Sequence, residues 1–229
     1  MKKCMLKNVL ISFCLFAVIP AVVSGNDNKE TAETTITSDQ MELIDNGAQT
    51  VFTGHVVLQQ SPYVMTADRM TRLRDTGIVE ADGHIVGTWL KPTGEKTVAV
   101  GDRARYNPQA QTTELWKAPR LTHWDTAKDP TPMVATAERF IAHHDSQMLF
   151  GKKNVVIRRG TDFESRSDEA QFDQTAQVIH LWGKRRTELA WNDTQGSGRF
   201  FSDRALLYLS PRRARLMDHV TGHVIPAPR

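Results

Sequence analysis

Apolar and polar residues alternate with a period of two along much of this chain. Thr50-Val51-Phe52-Thr53-Gly54-His55-Val56-Val57-Leu58 is one such stretch, rich in β-branched residues, and Val155-Val156-Ile157 and Ala176-Gln177-Val178-Ile179-His180-Leu181-Trp182 behave alike. This is the pattern of strands with one buried face. Turn chemistry separates them, at Asp45-Asn46-Gly47, Asp75-Thr76-Gly77, Lys91-Pro92-Thr93-Gly94, Asn107-Pro108 and Ser210-Pro211. The one weak helical stretch, Ala135 to Ala142, carries a copy of the repeat described next and is expected to be strand as well.

A six-fold echo lies over the alternation: a small residue, an acid, and an apolar residue two positions on. It reads Ser38-Asp39-x-Met41, Ala67-Asp68-x-Met70, Gly101-Asp102-x-Ala104, Ala137-Glu138-x-Phe140, Ser167-Asp168-x-Ala170 and Ser202-Asp203-x-Ala205, with acids 29, 34, 36, 30 and 35 residues apart. Gly54, Gly83 and Gly183 each follow their acid by 15 residues, and Gly54-His55-Val56, Gly83-His84-Ile85 and Gly222-His223-Val224 nearly repeat one another. A period of this length means stacked units that bury their apolar faces only against neighbours. Each unit reads as strand, turn, strand. In a straight strand the acid would share a face with the apolar residue two positions on, and an unpaired acid does not line an apolar interior. A kink or bulge is therefore expected at each acid.

The N-terminus has the order of a secretory signal: Lys2, Lys3 and Lys7, an apolar run from Val9 to Ile19, then Val23-Ser24-Gly25. The run is shorter than the roughly 20 residues a spanning helix needs, so residues 1–25 are expected to be cleaved near Gly25, 26–34 to form a disordered lead, and 35–225 to form the domain. Export to the periplasm follows from that reading. Both cysteines, Cys4 and Cys14, fall inside the signal, which removes disulfides, thiolate metal sites and cysteine nucleophiles from consideration. Residues 151–229 hold 14 Lys/Arg against 9 acids, whereas 26–150 carry an acidic excess of 5, an asymmetry suited to head-to-tail contact or to an anionic ligand.

The run Ile36-Thr37-Ser38-Asp39, Val51-Phe52-Thr53-Gly54-His55-Val56, Ala67-Asp68-x-Met70 and Ala81-Asp82-Gly83-His84-Ile85 resembles the OstA-like (LptA-type) family of periplasmic lipopolysaccharide-transport proteins, and the likeness covers roughly 35–225. The resemblance implies an all-β fold, a twisted open β-jellyroll built from about six strand-turn-strand repeats. It implies lipopolysaccharide as ligand, its lipid A acyl chains held in a greasy groove, and jellyroll partners of the LptC type at the inner membrane and the LptD type at the outer membrane. Head-to-tail homo-oligomers are a further implication, with the first repeat strand (Thr35 to Leu43) and the last (Ala214 to Ile225) as edges. Ala118 and Lys153 depart from the pattern where glycine would fall, and Leu121–Pro132 and Trp191–Gly198 suggest enlarged loops.

Alternate strand positions supply the candidate groove lining: Ile36, Met41, Phe52, Val56, Leu58, Met65, Met70, Ile85, Tyr106, Leu115, Phe140, Phe150, Val155, Phe172, Ile179 and Leu181. Lys184, Arg185 and Arg186 are the candidates for the lipid headgroup, where charge-assisted bonds to phosphate would form. No nucleophile elbow, phosphate-binding glycine loop or metalloprotease helix is present. No enzyme activity, cofactor or metal is expected, and export with a balanced charge argues against nucleic acid. His143-His144-Asp145 reads as solvated turn residues. Two rival readings stand: an LptC-like chain anchored through residues 5–23, and a structural β-solenoid with a dry, filled core.

Overall fold

Nearly every long strand of the molecule is bent at an acid or at the residues facing one. The computed structural model describes residues 35–90, 92, 94–125, 131–210 and 212–227, so the expected signal and polar lead lie outside the described residues. In chain order the strands are β1 (Thr35–Thr37), β2 (Gln40–Ile44), β3 (Gln49–Gln60), β4 (Tyr63–Leu73), β5 (Val79–Leu90), β6 (Lys96–Asn107), β7 (Thr112–Trp116) and β8 (Arg120–Trp124). They continue as β9 (Met133–Thr136), β10 (Arg139–His143), β11 (Met148–Arg159), β12 (Phe163–Asp173), β13 (Val178–Asp193), β14 (Gly196–Leu209), β15 (Arg212–Met217) and β16 (Thr221–Pro226). The stretch 135–142 is strand, split between β9 and β10 at Ala137-Glu138.

All pairings are antiparallel and form one sheet folded over on itself. The long strands β3, β4, β5, β6, β11, β12, β13 and β14 cross the fold and contribute one half to each of two layers. The short strands β1, β8, β9 and β16 complete the first layer, and β2, β7, β10 and β15 the second. One long side of the resulting roll is a spine of bends. The other lies between two rows of hairpin turns, which we call the lips.

The bends carry the six-fold repeat. Pairing slips at them, as between Thr53 and Val56 against Arg69 and Ala67, and again in β4–β5, β5–β6, β11–β12, β12–β13 and β13–β14. Opposite the acids stand two consecutive left-handed residues: Gly54-His55 (φ 78 and 43), Gly83-His84 (77 and 42), Lys117-Ala118 (60 and 54), Lys153-Asn154 (60 and 51) and Asp218-His219 (64 and 46). Such φ values cost an L-residue roughly 1–2 kcal/mol each, so neighbouring groups must hold them. The acids do so. Nδ1 of His55, His84 and His219 lies 2.7, 2.8 and 2.7 Å from a carboxylate oxygen of Asp39, Asp68 and Asp203. Asn154 Nδ2 donates to Glu138 at 2.9 Å, and Arg185 donates to Asp168 from both backbone N–H and Nε. The expected kinks are therefore real, and five of the six acids have a side-chain partner at the bend, while at the third the Asp102 backbone N–H donates to the Lys117 carbonyl.

Glycine is required where the acid presses closest. A Cβ on Gly83 would lie 2.2 Å from Asp68 Oδ2, one on Gly54 2.3 Å from Asp39 Oδ2. The small residue before the acid faces the tight inside of the turn: Ser167 and Ser202 are buried and bond the carbonyl two residues on at 2.8 and 2.9 Å. The tripeptide at Gly222 is a chance echo. His223 pairs with Arg199 in β16, and the true sixth bend is Asp218-His219. The enlarged loop expected at Trp191–Gly198 is instead strand carried to a short turn, with Trp191 stacked on Phe200 at 5.1 Å.

Two measurements check the bend. Gly83→Ala adds strain at φ +77 and a clash with Asp68, and should lower the unfolding free energy by about 2 kcal/mol or more in urea titration. His55, His84 and His219 have pKa values raised by the hydrogen bond, and then the charge, of their acids. Their stabilisation is fully present below the unfolded imidazole pKa and is lost as pH rises through the raised folded value. Imidazole NMR titration should give upward-shifted midpoints in the native protein, returning to ordinary values in Asp39→Asn, Asp68→Asn and Asp203→Asn.

Candidate functional site

The inner faces of the two layers meet in one apolar seam that runs the length of the roll. Alternation places its lining: inward positions fall on every second residue of each half-strand, and each bend resets the count. Val56, Leu58, Met65, Met70, Ile85, Tyr106, Leu115, Phe140, Val155, Phe172, Ile179 and Leu181 are buried in it, and Ile36 and Phe52 pack partly buried against it. Large residues alternate with small ones such as Ala67, Ala81, Ala99, Ala104 and Ala170, so the seam is narrow near the spine.

Two candidates lie elsewhere. Phe150 is on the outer face of the second layer: it pairs with Ile141 and Gln171, while its neighbours Leu149 and Gly151 point inward. Its ring meets His143 edge-on at 5.4 Å, with Lys152 Nζ 5.5 Å away. The register is set by Phe140 opposite Gly151 and Leu149 opposite Phe172, which a run of three apolar-to-small residues does not reveal. Met41 pairs with Phe52 but is 60% exposed, because β2 is an end strand that pairs only with β3 among the described residues. The inward residues that the candidate set missed include Leu121, Leu149, Ile157, Leu189 and Leu207. Ile157 lies two positions from Val155 on the same half-strand, and that spacing was the available signal.

Lys184, Arg185 and Arg186 occupy the longest bulge of the spine, four residues of β13 opposite Asp203 alone. Arg185 is taken up by Asp168 and Asn154, and Arg186 by Thr221 and the carbonyls of Phe201 and His219. These side chains close a bend on the side away from the lips. His143 and His144 do point to opposite faces, but His144 is half-buried, 2.8 Å from Thr113 Oγ1, and burial pushes its pKa down.

Midway along the seam lies a void of about 50 Å³ between the layers, lined by Leu121, Met133, Phe140, Leu149, Val155 and Phe172 among others, with His123 as the one ionisable group. Among the described residues the backbone passes between the layers along the spine, through the bent strands and the links β1–β2, β7–β8, β9–β10 and β15–β16. Among the described residues no strand-to-strand pairing crosses the lips. Parting the lips therefore costs side-chain contacts and leaves the ladder whole.

Among the described residues both ends of the roll are open: β1 and β2 pair only with β3, and β15 and β16 only with β14. The most exposed large apolar residues gather there: Leu43 at 61%, Met41 and Ile225 at 60%, Val224 at 56%. Unpaired strands bearing apolar side chains are ready sites for strand addition.

No curated protein matches the chain. Among solved structures it is similar to LptH, the LptA homologous periplasmic component of the conserved lipopolysaccharide transport device from Pseudomonas aeruginosa, with 12% identity, 66% of this chain and 83% of that one covered, and a TM-score of 0.31. Residues 35–148, which hold the first three bends and the acid of the fourth, match the family model described as LptA/(LptD N-terminal domain) LPS transport protein. By that match and by its bent, open β-jellyroll, the chain belongs to the OstA/LptA-like family of lipopolysaccharide-transport proteins.

Proposed function

We propose that this protein works in the periplasm as a carrier segment of a lipopolysaccharide bridge, holding acyl chains between its two layers and passing them on through its open ends. The observation that carries the reading is the continuous apolar seam, open at both ends and hinged along one side only. An acyl chain of about a dozen carbons gains on the order of 10 kcal/mol on leaving water. As the lips part, contacts between walls are exchanged for contacts between wall and chain. The net gain is then the dehydration of the lipid itself. Dispersion contacts fix no register, so a chain held this way slides.

The ends suit head-to-tail stacking. The β15–β16 pair runs from second layer to first and β1–β2 from first to second, so a copy added at either end continues the antiparallel alternation of the sheet. The second-layer edges differ in charge: Asp39, Glu42 and Asp45 flank one, Arg212, Arg213 and Arg215 the other. Glu42 and Arg215 stand on the same cross-strand row at opposite ends. The same edges would receive the jellyroll partners at the inner and outer membranes.

A photoreactive amino acid at Phe172 should cross-link to lipopolysaccharide in cells, whereas the same residue at the outward-facing Phe150 should not; equal labelling at both would sink the interior path. For the stack, Glu42→Lys should weaken self-association by about three- to tenfold in sedimentation equilibrium, and adding Arg215→Glu should restore it.

A further inference from the structure

The strands β3–β6 and β11–β14 repeat one bent arrangement, so the two halves of the seam can be compared position by position. On the first-layer side of the bends Val56 pairs with Ala67, Leu58 with Met65 and Ile85 with Gly101. The matching pairs in the second half are Val155 with Ser167, Ile157 with Ser165 and Thr187 with Ser202. Met65, Ala67, Ile85 and Gly101 thus give way to Ser165, Ser167, Thr187 and Ser202. All four hydroxyl residues are buried, Ser165 at 1% exposure and Thr187 at 0%. Alternation aims them into the seam: Ser165 stands between Ile157 and Leu189, while its neighbours Glu164 and Arg166 lie on the outer face and bond each other. Ser167 and Ser202 donate to the carbonyls two residues on. Among the described residues neither the Ser165 nor the Thr187 hydroxyl has a hydrogen-bond partner. A buried hydroxyl left so carries its full desolvation cost. The two adjoin the interior void, whose wall includes Ile157, the strand partner of Ser165.

We propose that Ser165 and Thr187 form a polar notch in the apolar seam that recognises a hydroxyl group carried along an acyl chain. The inference rests on the carrier reading above and says which chains the seam prefers. Ser165 pairs with Leu189, and Thr187 lies two positions before Leu189 on β13. This diagonal relation sets the two β-carbons roughly 7 Å apart, so one oxygen placed between them reaches both hydroxyls. A chain hydroxyl both donates and accepts, and can give its proton to one side chain while taking the other's. A plain methylene chain in the same place leaves both protein hydroxyls without a partner. Dispersion contacts fix no register, so a chain slides until its hydroxyl meets the notch. The first half of the seam, with Met65 and Ile85 at the matching positions, offers no such stop. The notch therefore gives β11–β14 a resting point for hydroxylated chains and leaves plain chains free to move.

The test uses the full chain and two probes, octadecanoate and 12-hydroxyoctadecanoate, each displacing a fluorescent polyene fatty acid below micelle formation. A hydroxyl at mid-chain keeps the carboxylate away from the notch. The parent should bind the hydroxylated acid at least about threefold more tightly. Thr187→Val with Ser165→Ala removes both protein hydroxyls and should erase that preference or reverse it, since the chain's hydroxyl is then buried without a partner. Thr187→Ser should keep the parent's order of affinities. Thr187→Val alone, of the same shape, should unfold in urea at the parent's midpoint or above it, because the hydroxyl it removes bonds nothing in the fold. A parent without preference for the hydroxylated acid, or a preference that survives the double variant, overturns the notch and leaves the carrier reading intact. A lower urea midpoint for Thr187→Val does the same, by showing that the hydroxyl is already bonded within the fold. Binding of neither acid overturns the carrier reading and the notch together.

Discussion

The structure depends on one hydrogen bond made again and again: an acid on one strand bonded across to the bend of the next, at Asp39, Asp68, Glu138 and Asp203 to a residue in the left-handed conformation. Without it the eight long strands would lie as a flat sheet with two wet faces. With it, each strand turns at its middle and the sheet closes over its own apolar side. The bond is external and exposed, with Asp39 and Asp68 side chains 58% and 61% accessible, so its role is geometric. It holds backbone strain in place at the one line where the two layers must meet.

The same economy shapes the interior. A seam between layers that are joined along one side can be filled by its own side chains or by guests of similar polarity, and the difference in free energy between those states is small compared with the cost of unfolding either layer. The void of about 50 Å³ shows how nearly the walls fill the space between them. On the carrier reading proposed above, loading an acyl chain means rotation about the spine, and the Asp125–Arg212 contact across the lips is one polar restraint on that rotation.

Much of this was legible in the sequence because the bend is local. Small residue, acid and glycine at regular spacing announced the repeat, the kink and the family, and period-two alternation placed most of the lining. Where alternation was ambiguous it misled: Leu149-Phe150-Gly151 has an inward glycine, so the bulky residue faces out. Ala118 and Lys153 looked like departures, yet their backbones hold φ 54 and 60, the same bend without glycine. Arg185 and Arg186 read as headgroup candidates because a basic run carries no mark of the acid, amide and carbonyls that these two meet at the bend. The contacts of Asp125 with His123, Arg159 and Arg212 left no trace in the sequence, because they join residues up to 87 positions apart.

The central claim is that the layers open about the spine to admit acyl chains. Spin labels at Thr161 and Thr175, on the hairpins at the two ends of the bent strand β12, report that angle directly as a distance by pulsed electron resonance. On adding lipopolysaccharide to the exported protein, the account predicts a longer Thr161–Thr175 distance, with the distance between labels at Thr161 and Gln195 within one layer unchanged. A lipopolysaccharide-bound protein whose Thr161–Thr175 distance stays at its unloaded value would contradict it.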